Sequence, residues 1–575
     1  MRPPREPDFA SAHPSPIIVE SRRLMGPNLM HPGVGAVLDV VLDDTMSSKN
    51  AALLHAWHAR VVELTGALGW PDAATTQRTY PGGASLFVHA PVDQLMTATD
   101  VCESAWMTSE LAIVGFARDT AAATIDELRA MADAESCPPL VALWHEGQRR
   151  RINVTFDEHT ACIGSGTGAH CWPLRDIPTT DSIDWRTVRD IPIVLVTGSN
   201  GKTTVVRMIA AMARAAGHNV GHTCTDGVWI HDAQVESGDW SGPVGARRVL
   251  QDTSVTLAVL ETARGGMLRR GLAVQHASAA AVVTLSPDHF GDYGINDLET
   301  LAAVKLIVAS AVHERGLLVC NAGVPSLVQA TAHYTGRLAT VTVHHDTAVD
   351  APFTWSSSTD LHLTTAELTQ IPATLGGAAT HNVLNALVAA TVANELHLGD
   401  PSRAALLAFG TDPRENMGRL MTHVVGGVTI VIDYAHNAQS VAALIDATRG
   451  IPAARRAISL GTGGDRDDIA LQAIAAAAAE PGIIDHFIAK EMPKFLRGRA
   501  SGSISGVLLD ALRALGVPDA QLASAPDDMS AVRQALTWAR PGDLLLLAVH
   551  DQRDAVLQLV EQCAISGWTP GSTLP

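Results

Sequence analysis

The chain has 575 residues, a length that predicts three or four domains because single hydrophobic cores stop growing beyond about 250–300 residues. Apolar residues make up 47% and charged residues 17%, a balance typical of a packed globular protein. The 59 acidic and 41 basic side chains give a formal net charge of -18, which argues against a general polyanion binder such as a protein that coats DNA.

The sequence also argues against a secreted or membrane protein. No run of about 18 uncharged apolar residues occurs, so we expect no membrane span. Residues 1–16 are polar and proline-rich and lack the apolar core of a signal peptide, so we expect them to be disordered and the protein to be cytoplasmic. The seven cysteines form no C-x-x-C pair, which favours free or buried thiols. Cys162 and Cys171, on either side of His170, are a less favoured alternative as metal ligands.

The first part of the chain predicts a small α+β domain, which with its linker covers 1–185. A single histidine in His89-Ala-Pro-Val-Asp93, in a segment that Pro91 would break as a helix, gives no reason to expect metal chemistry there. We expect this domain to have a structural, oligomerising or substrate-docking role and the protein to be a homo-oligomer. The predicted elements are a strand at 36–42, a helix at 51–68, a strand at 111–118 and a helix at 120–134.

The segment Gly198-Ser-Asn-Gly-Lys-Thr-Thr204 is typical of a phosphate-binding loop. A buried apolar strand is predicted before it, at 191–196, and a helix after it, from Lys202 to Gly217. Small residues allow backbone N–H groups to reach a phosphate, the helix N-terminus adds partial positive charge, and the lysine neutralises β- and γ-phosphate oxygens. The Thr203 hydroxyl is an expected Mg²⁺ ligand. The predicted ATP-binding residues here are Gly198, Asn200, Gly201, Lys202, Thr203 and Thr204.

Apolar strands alternate with helical segments through 186–411, which predicts a parallel sheet with its chemistry at the carboxyl ends of the strands. Glu261 follows one such strand, and a carboxylate beside a phosphate loop is a natural Mg²⁺ ligand. A helix cap or a surface ion pair is the alternative for that residue. The predicted strands are 255–260, 280–285 and 317–320.

Only two residues separate the glycines of the phosphate loop, and this short form resembles that of the Mur ligase family. Members of that family join a carboxylate to an amine and hydrolyse ATP to do so. The runs Glu261-Thr-Ala-Arg-Gly-Gly266 and Ser21-Arg-Arg-Leu-Met-Gly-Pro-Asn28 resemble cyanophycin synthetases, which build a polymer of aspartate and arginine. Those enzymes carry an ATP-grasp domain between the corresponding regions, and the short connection before Ile191 leads us to expect its absence here.

The resemblance implies further roles in the central domain. In Ser286-Pro-Asp-His289, the histidine would hold a second Mg²⁺. Lys305 would be carbamylated and bridge to Mg²⁺, with a snorkelling lysine as the alternative. Asn382 and Asn385, three apart on one helix face, would approach the nucleotide base, or else serve as a cap and a surface amide. Substrate contacts, with ordinary turns as the alternative, are implied for Thr225, Asp226 and Arg264.

The segment 412–420 is predicted to be a hinge that leads into a smaller Rossmann-like domain, 412–575. Its predicted strands are 428–432, 456–460 and 543–549. By resemblance, Arg419 would reach an ATP phosphate, which suits the planar guanidinium, and Asp433 would accept from ribose hydroxyls. A surface arginine and polar turns are the alternatives. The residues expected to face the substrate or the incoming amino acid are His436, Asn437, Asp465 and Arg466.

The resemblance covers about residues 190 to 560 and implies an α/β fold with three-domain Mur ligase architecture. It implies an ATP-dependent amide ligase that uses ATP and Mg²⁺ to activate a small-molecule or peptide carboxylate, which then accepts an amino acid or another amine. One alternative is a catalytically silent nucleotide-binding or scaffold protein, and another is a small-molecule P-loop ATPase or kinase. The residues expected to be catalytic are Lys202, His289, Lys305 and Arg419.

Overall fold

The structure is a computed structural model. It describes residues 17–70, 73–113, 121–287, 290–344 and 353–575. The expected disorder of residues 1–16 and the expected metal ligand His289 therefore lie outside the described residues. In the described part of the chain, no helix is long and apolar enough to cross a membrane.

The N-terminal region folds around an antiparallel sheet with the strand order β1-β2-β4-β3. Its buried side chains include Trp57 and Trp106, both 0% exposed, from the two helices that pack together beside the sheet. The strand predicted at 36–42 and the helices predicted at 51–68 and 120–134 are confirmed. The elements are β1 (Ile18–Leu24), β2 (Gly35–Val41), α1 (Ser47–Ala67), β3 (Thr75–Tyr80), β4 (Gly83–His89), α2 (Leu95–Ile113), α3 (Ala121–Glu135) and α4 (Pro138–Arg150).

The strand predicted at 111–118 is wrong where the structure describes it, because residues 111–113 are the last turn of α2. Residues 114–120 lie outside the described residues. Helix α2 is held by a buried face that includes Val101, Cys102 and Ala105, and the short apolar run simply continues that helix. Periodicity in so short a run does not separate a buried strand from a helix end.

A small antiparallel sheet connects this region to the rest of the molecule, with strands β5 (Val154–Phe156), β6 (Thr160–Ile163) and β7 (His170–Pro173). Cys162 on β6 pairs directly with Cys171 on β7, and the two form a disulfide. The expectation of free thiols is therefore wrong for these two residues, as is the alternative of a metal pair. The two cysteines lie nine positions apart in sequence, and the hairpin between them brings the two side chains face to face.

The central region is a nine-stranded sheet in the order β11-β10-β9-β12-β8-β13-β14-β15-β16. Strands β9, β12, β8, β13, β14 and β15 are parallel, and antiparallel strands close both edges. The strands are β8 (Ile193–Thr197), β9 (Val220–Cys224), β10 (Gly227–Ile230), β11 (Ala233–Ser237), β12 (Leu257–Glu261), β13 (Ala277–Val282), β14 (Val312–Asn321), β15 (Arg337–His344) and β16 (Thr354–Ser357).

Helices cover both faces of this sheet, so the strand residues on both faces are buried, as in β8 and β12. The predicted helix after the phosphate loop is confirmed as α5 (Lys202–Ala215), followed by Gly217 at φ 88°. The remaining helices are α6 (Pro243–Leu250), α7 (Arg264–Arg270), α8 (Leu298–Lys305), α9 (Ile307–Ser310), α10 (Pro325–Thr331), α11 (Thr365–Gln370), α12 (Thr380–Glu395) and α13 (Gly399–Ala408).

The C-terminal region is a six-stranded sheet in the order β17-β18-β22-β19-β20-β21, parallel except for β17. The expected α/β fold with a Rossmann-like C-terminal sheet is confirmed. The elements are β17 (Met421–Val425), β18 (Val428–Asp433), α14 (Ala438–Thr448), β19 (Arg456–Leu460), α15 (Asp468–Ala479), β20 (His486–Lys490), α16 (Ser503–Ala514), β21 (Leu522–Ala525), α17 (Asp528–Trp538), β22 (Leu544–Ala548) and α18 (Arg553–Ile565).

Candidate functional site

A cleft of about 440 Å³ lies between the central and C-terminal sheets. It is lined from both sides by segments that follow the carboxyl ends of parallel strands, which is where ligands bind in open α/β sheets. From the central region come the phosphate loop and the start of α12, and from the C-terminal region come the segment after β18 and the first turns of α14. The central and C-terminal regions, called the two lobes below, therefore form one site together.

The phosphate loop joins β8 to α5 through two glycines with positive φ, Gly198 at 153° and Gly201 at 84°. A Cβ atom on Gly201 would lie 2.4 Å from the side-chain oxygen of Asn385, so this position has neither the backbone freedom nor the space for a side chain. Ser199 N–H donates to the Thr284 carbonyl, which ties the loop to the segment after β13. The loop is thus held in the tight turn that presents the N-terminus of α5 to the cleft.

Two lysines donate hydrogen bonds to backbone carbonyls of the phosphate loop. Lys202 Nζ donates to the Ser199 carbonyl at 3.2 Å from the cleft side. Lys305, only 4% exposed, donates from α8 to the Gly198 carbonyl at 3.0 Å. The side chain of Lys305 therefore reaches the phosphate loop, and its carbamylation stays a prediction.

Glu261, at the end of β12, is the centre of a group of oxygen atoms beside the phosphate loop. Its carboxylate accepts from the hydroxyls of Thr203 at 2.8 Å and Thr225 at 2.9 Å, and it is 2% exposed. Within the described residues, it forms no ion pair with a lysine or arginine. A buried carboxylate normally pairs with a cation or binds a metal, and hydroxyl and carboxylate oxygens are the ligands that Mg²⁺ prefers, so these residues fit that ion.

The metal fit rests on one carboxylate. Among the described residues, no three His, Cys, Asp or Glu side chains gather as a metal cluster. The second ligand expected from the sequence, His289, is outside the described residues, although Ser286 just before it bonds to the loop residue Ser199. The roles assigned to Glu261 and His289 remain predictions.

Asn382 and Asn385 lie in the first turns of α12, where both are buried. Asn385 donates to the side-chain oxygen of Asn382 at 2.9 Å, and Asn382 donates to the Ala373 carbonyl at 2.7 Å. Both line the cleft beside His381, whose burial lowers its pKa to about 4 and so keeps the ring neutral at pH 7. Their expected contact with the nucleotide base remains a prediction.

On the C-terminal side, Arg419 projects across the cleft toward the phosphate loop. Its guanidinium lies 4.1 Å from the centre of the Tyr434 ring and 3.5 Å from the Thr203 hydroxyl. Asp433, the last residue of β18, accepts from the Leu420 N–H at 2.8 Å, and burial raises its pKa although Arg419 opposes that effect. Arg419 and Asp433 thus both line the cleft, while their nucleotide contacts stay predictions.

Amide side chains join the two lobes directly at the cleft. Asn437 donates to the side-chain oxygen of Asn200 at 3.0 Å, and Asn200 donates in turn to Gln439 at 2.9 Å. Asn437 also caps α14 by accepting from the Ser440 N–H. His436 lines the cleft close by, with its ring packed edge-on against Tyr434. The sequence predicted that Asn437 faces the site, but it did not predict that Asn437 contacts the phosphate loop.

Asp226 lies between two arginines of different lobes. Arg207 on α5 donates to it at 2.6 Å, and Arg553 at the start of α18 donates to its other oxygen. Burial raises the pKa of this carboxyl, but the charges of Arg207, Arg419 and Arg553 together hold it below its usual value. Asp226 thus links the lobes, and its predicted contact with substrate stays a prediction. Arg553 was not predicted as a site residue, although its place after the carboxyl end of β22 could have indicated one.

Three other predicted substrate residues do not line the cleft in the described structure. Arg264 pairs with Asp292 at 2.7 Å and is 8% exposed. Asp465 and Arg466 pair with each other at 3.4 Å after β19. Their proposed contacts with substrate therefore stay predictions.

Comparison with known proteins gives two family matches. Residues 196–393 match the Mur ligase middle domain, and residues 418–548 match the Mur ligase, glutamate ligase domain. Together they cover the phosphate loop, the Glu261 group and the C-terminal side of the cleft.

Individual relatives agree with these matches. The cyanophycin synthetase of Trichormus variabilis is 33% identical over 386 residues, which are 64% of this chain and 42% of that protein. The chain thus spans about two fifths of the length of the cyanophycin synthetases it matches. The UDP-N-acetylmuramoyl-L-alanyl-D-glutamate--2,6-diaminopimelate ligase of Corynebacterium glutamicum is 23% identical and covers 80% of this chain and 88% of that protein. A solved bifunctional folylpolyglutamate synthase/dihydrofolate synthase with Mn, AMPPNP and L-glutamate bound aligns with a TM-score of 0.48 at 19% identity, over 64% of this chain and 89% of that one.

Proposed function

The chain belongs to the Mur ligase family, and from that premise we propose that it is an ATP-dependent amide ligase. It activates a carboxylate as an acyl phosphate and joins the acid to an amino acid or another amine. The observation that carries the proposal is the cleft in which the phosphate loop of one lobe, with Glu261 bonded to its Thr203, faces Arg419 and Asp433 of the other. The match of the second lobe to the Mur ligase, glutamate ligase domain favours a ligase over a simple ATPase or kinase.

The chemistry requires activation because a carboxylate does not condense with an amine unaided in water. A carboxylate oxygen attacks the γ-phosphorus of ATP, ADP leaves, and the resulting acyl phosphate is a much better electrophile. The amine nitrogen then attacks the acyl carbon, the carbon–oxygen bond breaks, and inorganic phosphate leaves with the oxygen that came from the acid. One proton is released from the amine in that step.

The residues of the phosphate loop bind and orient ATP. Backbone N–H groups at the N-terminus of α5 and the Lys202 ammonium stabilise negative charge on the β- and γ-phosphates. Glu261, Thr203 and Thr225 would hold Mg²⁺, which when bound supplies further charge stabilisation for the transferred phosphoryl group. Arg419 approaches from the second lobe, where its position over Tyr434 keeps it aimed at the phosphates.

The two-lobed site also serves to exclude water. The acyl phosphate would be hydrolysed by water at about 55 M if the cleft stayed open during the reaction. Contacts between the lobes, such as Asn200 with Asn437 and Asp226 with Arg553, fit a closed arrangement of the cleft. The segment that carries Arg419 is the natural place for the lobes to move, because it connects the two sheets.

We propose that the acceptor is a small molecule or peptide with a carboxylate, in line with the ligases and synthetases among the relatives. The test is a screen of ADP release with Mg²⁺ and ATP, in which amino acids are combined with aspartate-containing peptides. Turnover that requires both an acid and an amine is the expected result. ADP release without an amine would favour an ATPase, and no release with any pair would favour a nucleotide-binding scaffold.

The variant Lys202→Ala tests the role of the phosphate loop in this reaction. We expect it to abolish this release, by roughly 10³-fold or more, because it removes charge stabilisation from the transferred phosphoryl group. Lys49→Ala, on α1 in the N-terminal region, is the control and should behave as the unmodified protein. Full activity of a folded Lys202→Ala variant would refute the assignment.

A further inference from the structure

Beneath the C-terminal side of the cleft lies a buried polar group that the proposed reaction does not use. Lys490, the last residue of β20, is 0% exposed, and its ammonium donates to Asp528 and, at 2.8 Å, to His550 Nδ1. Asp528 also accepts from the backbone N–H groups of His550, Asp551 and Gln552, at 2.7 to 3.0 Å. Lys490, Asp528 and His550 are called the buried triad below.

The hydrogen bonds of the buried triad fix the state of the histidine. His550 Nδ1 accepts from Lys490, so the ring proton is on Nε2, which donates to the Ala435 carbonyl at 3.0 Å. Burial, and next the charge of Lys490, hold the pKa of His550 well below its usual range, and Asp528 only partly opposes them. Burial pushes the pKa of the Asp528 carboxyl up, but Lys490, His550 and backbone donors together hold it below its usual value.

The triad touches the cleft at one place, the segment between β18 and α14. Ala435 accepts from His550, and the neighbouring Tyr434 packs edge-on against the His550 ring at 4.9 Å. Tyr434 also contacts Arg419, whose guanidinium lies over the Tyr434 ring. A continuous series of contacts therefore runs from the buried charges through His550 and Tyr434 to the arginine that faces the phosphate loop.

We propose that Lys490, Asp528 and His550 are positioning residues, which fix the segment 433–437 and through Tyr434 aim Arg419 at the nucleotide phosphates. This inference rests on the proposed function for the identity of the nucleotide. A polar group of this kind is costly to bury, and satisfied networks hold their neighbours in one arrangement. Within the triad, only the Nε2 proton of His550 bonds to the cleft segment, so that single hydrogen bond is the feature to test.

Two amide substitutions of similar shape test the roles of the two ring nitrogens of His550 one at a time. In His550→Gln the side-chain amide nitrogen reaches the place of Nε2 and still donates to Ala435. In His550→Asn the amide reaches only the place of Nδ1, so it can bond Lys490 but not Ala435. Both variants keep a polar side chain at position 550. Their thermal unfolding is measured first, to check that both are folded and similarly stable.

The readout is the affinity for a non-hydrolysable ATP analogue with Mg²⁺, measured by calorimetry. Both variants lose the ring that packs against Tyr434, so the hydrogen bond is tested by comparing them with each other. We expect His550→Asn to bind the analogue about tenfold more weakly than His550→Gln, the equivalent of one hydrogen bond of about 1.4 kcal/mol. Equal affinities in the two variants, or a greater loss in the glutamine variant, would overturn the positioning role. A purely structural triad would lower the unfolding temperature of both variants and leave their analogue affinities alike.

A second measurement needs no variant. The ¹⁵N chemical shifts of the histidine rings at pH 7 show which nitrogen carries the proton, and we expect His550 to carry it on Nε2 alone. A proton on Nδ1, or on both nitrogens, would contradict the network and the inference with it. Both tests are independent of turnover: a protein that binds the analogue but releases no ADP with any acid and amine would refute the proposed function, and the comparison of His550 variants would still decide the inference.

Discussion

Single residues at this site act through the partners that surround them, and Glu261 is the clearest case. Its carboxylate is buried without an ion pair to a lysine or arginine in the described structure, and two threonine hydroxyls donate to it. Such an arrangement is stable when a cation shares the site. The sequence predicted Glu261 as a metal ligand from its place at a strand end, but the partnership with Thr225 depends on the tertiary fold.

The first prediction at this scale concerns Glu261→Gln. The amide keeps one acceptor oxygen for the threonines but loses the charge, so we expect the Mg²⁺ concentration for half-maximal analogue binding to rise at least about tenfold. Glu299→Gln, an exposed change on α8, is the matched control. An unchanged Mg²⁺ requirement in a folded Glu261→Gln variant would remove Glu261 from the metal site.

The second prediction uses Asp190, which joins the small sheet to the central region. It accepts from Asn153 and Ser165, yet burial raises its pKa to about 6. The unfolded carboxyl ionises near 3.8, so between these values the folded protein holds an extra proton and loses stability as the pH rises.

Because asparagine does not titrate, we expect the free energy of unfolding to fall less for the Asp190→Asn variant than for the unmodified protein between pH 4 and pH 7. The difference should be at most roughly 3 kcal/mol. Urea unfolding at several pH values measures the difference directly. Asp232→Asn is the control, because this exposed side chain pairs with Arg214 at the surface. Parallel curves for the Asp190→Asn variant and the unmodified protein would show that Asp190 does not titrate as described.

At the scale of elements, the turn between β8 and α5 is the most constrained piece of the site. Gly201 precedes α5 and Gly217 follows it, both with φ near 85°. A methyl group at Gly201 would collide with Asn385, whereas nothing lies within 4 Å of the same group at Gly217. The two glycines thus have nearly the same φ in two different surroundings.

We predict that Gly201→Ala and Gly217→Ala both lose about 1 kcal/mol of stability from backbone strain, but only the first loses nucleotide affinity. The loss at Gly201 should exceed about tenfold because the phosphate loop must shift to avoid Asn385. Analogue binding and thermal unfolding of both variants are the measurements. Equal affinities would mean that the shape of this turn does not govern binding.

The sequence predicted elements best where buried strands met glycine-rich turns. β19 was predicted with its observed bounds, and the strand before the phosphate loop was displaced by about two residues, because an apolar run does not mark which residue first bonds to its neighbour. The end of α2 was missed for a related reason, since three apolar residues fit either structure. The disulfide was missed because cysteine spacing does not reveal that two strands pair in register.

At the scale of the whole molecule, function depends on how two lobes meet. Asp226 and Arg553 are 327 residues apart in sequence and form an ion pair between the lobes. Neither local pattern nor composition predicts such a contact, because it depends on the relative placement of two sheets. The Asn200 and Asn437 pair was missed for the same reason, although each residue was predicted separately to face the site.

We predict that Arg553→Met weakens the closed arrangement of the cleft. Loss of a partly buried charged hydrogen bond of about 1.5–3 kcal/mol should lower analogue affinity by about ten- to hundredfold if the cleft closes on binding. Arg513→Met, an exposed change on α16, is the control. Small-angle X-ray scattering without nucleotide should show a larger radius of gyration for Arg553→Met alone, and identical scattering from both variants would contradict a link between the lobes.

The central claim is that this cleft makes an acyl phosphate, and isotope transfer tests it most directly. An acceptor that supports turnover is prepared with ¹⁸O in its carboxylate, and the released inorganic phosphate is analysed by mass spectrometry. The account predicts one ¹⁸O atom in each phosphate, because the attacking carboxylate oxygen leaves with the phosphoryl group. Unlabelled phosphate from a turnover that forms the amide, with the missing ¹⁸O found in AMP or in water, would contradict it.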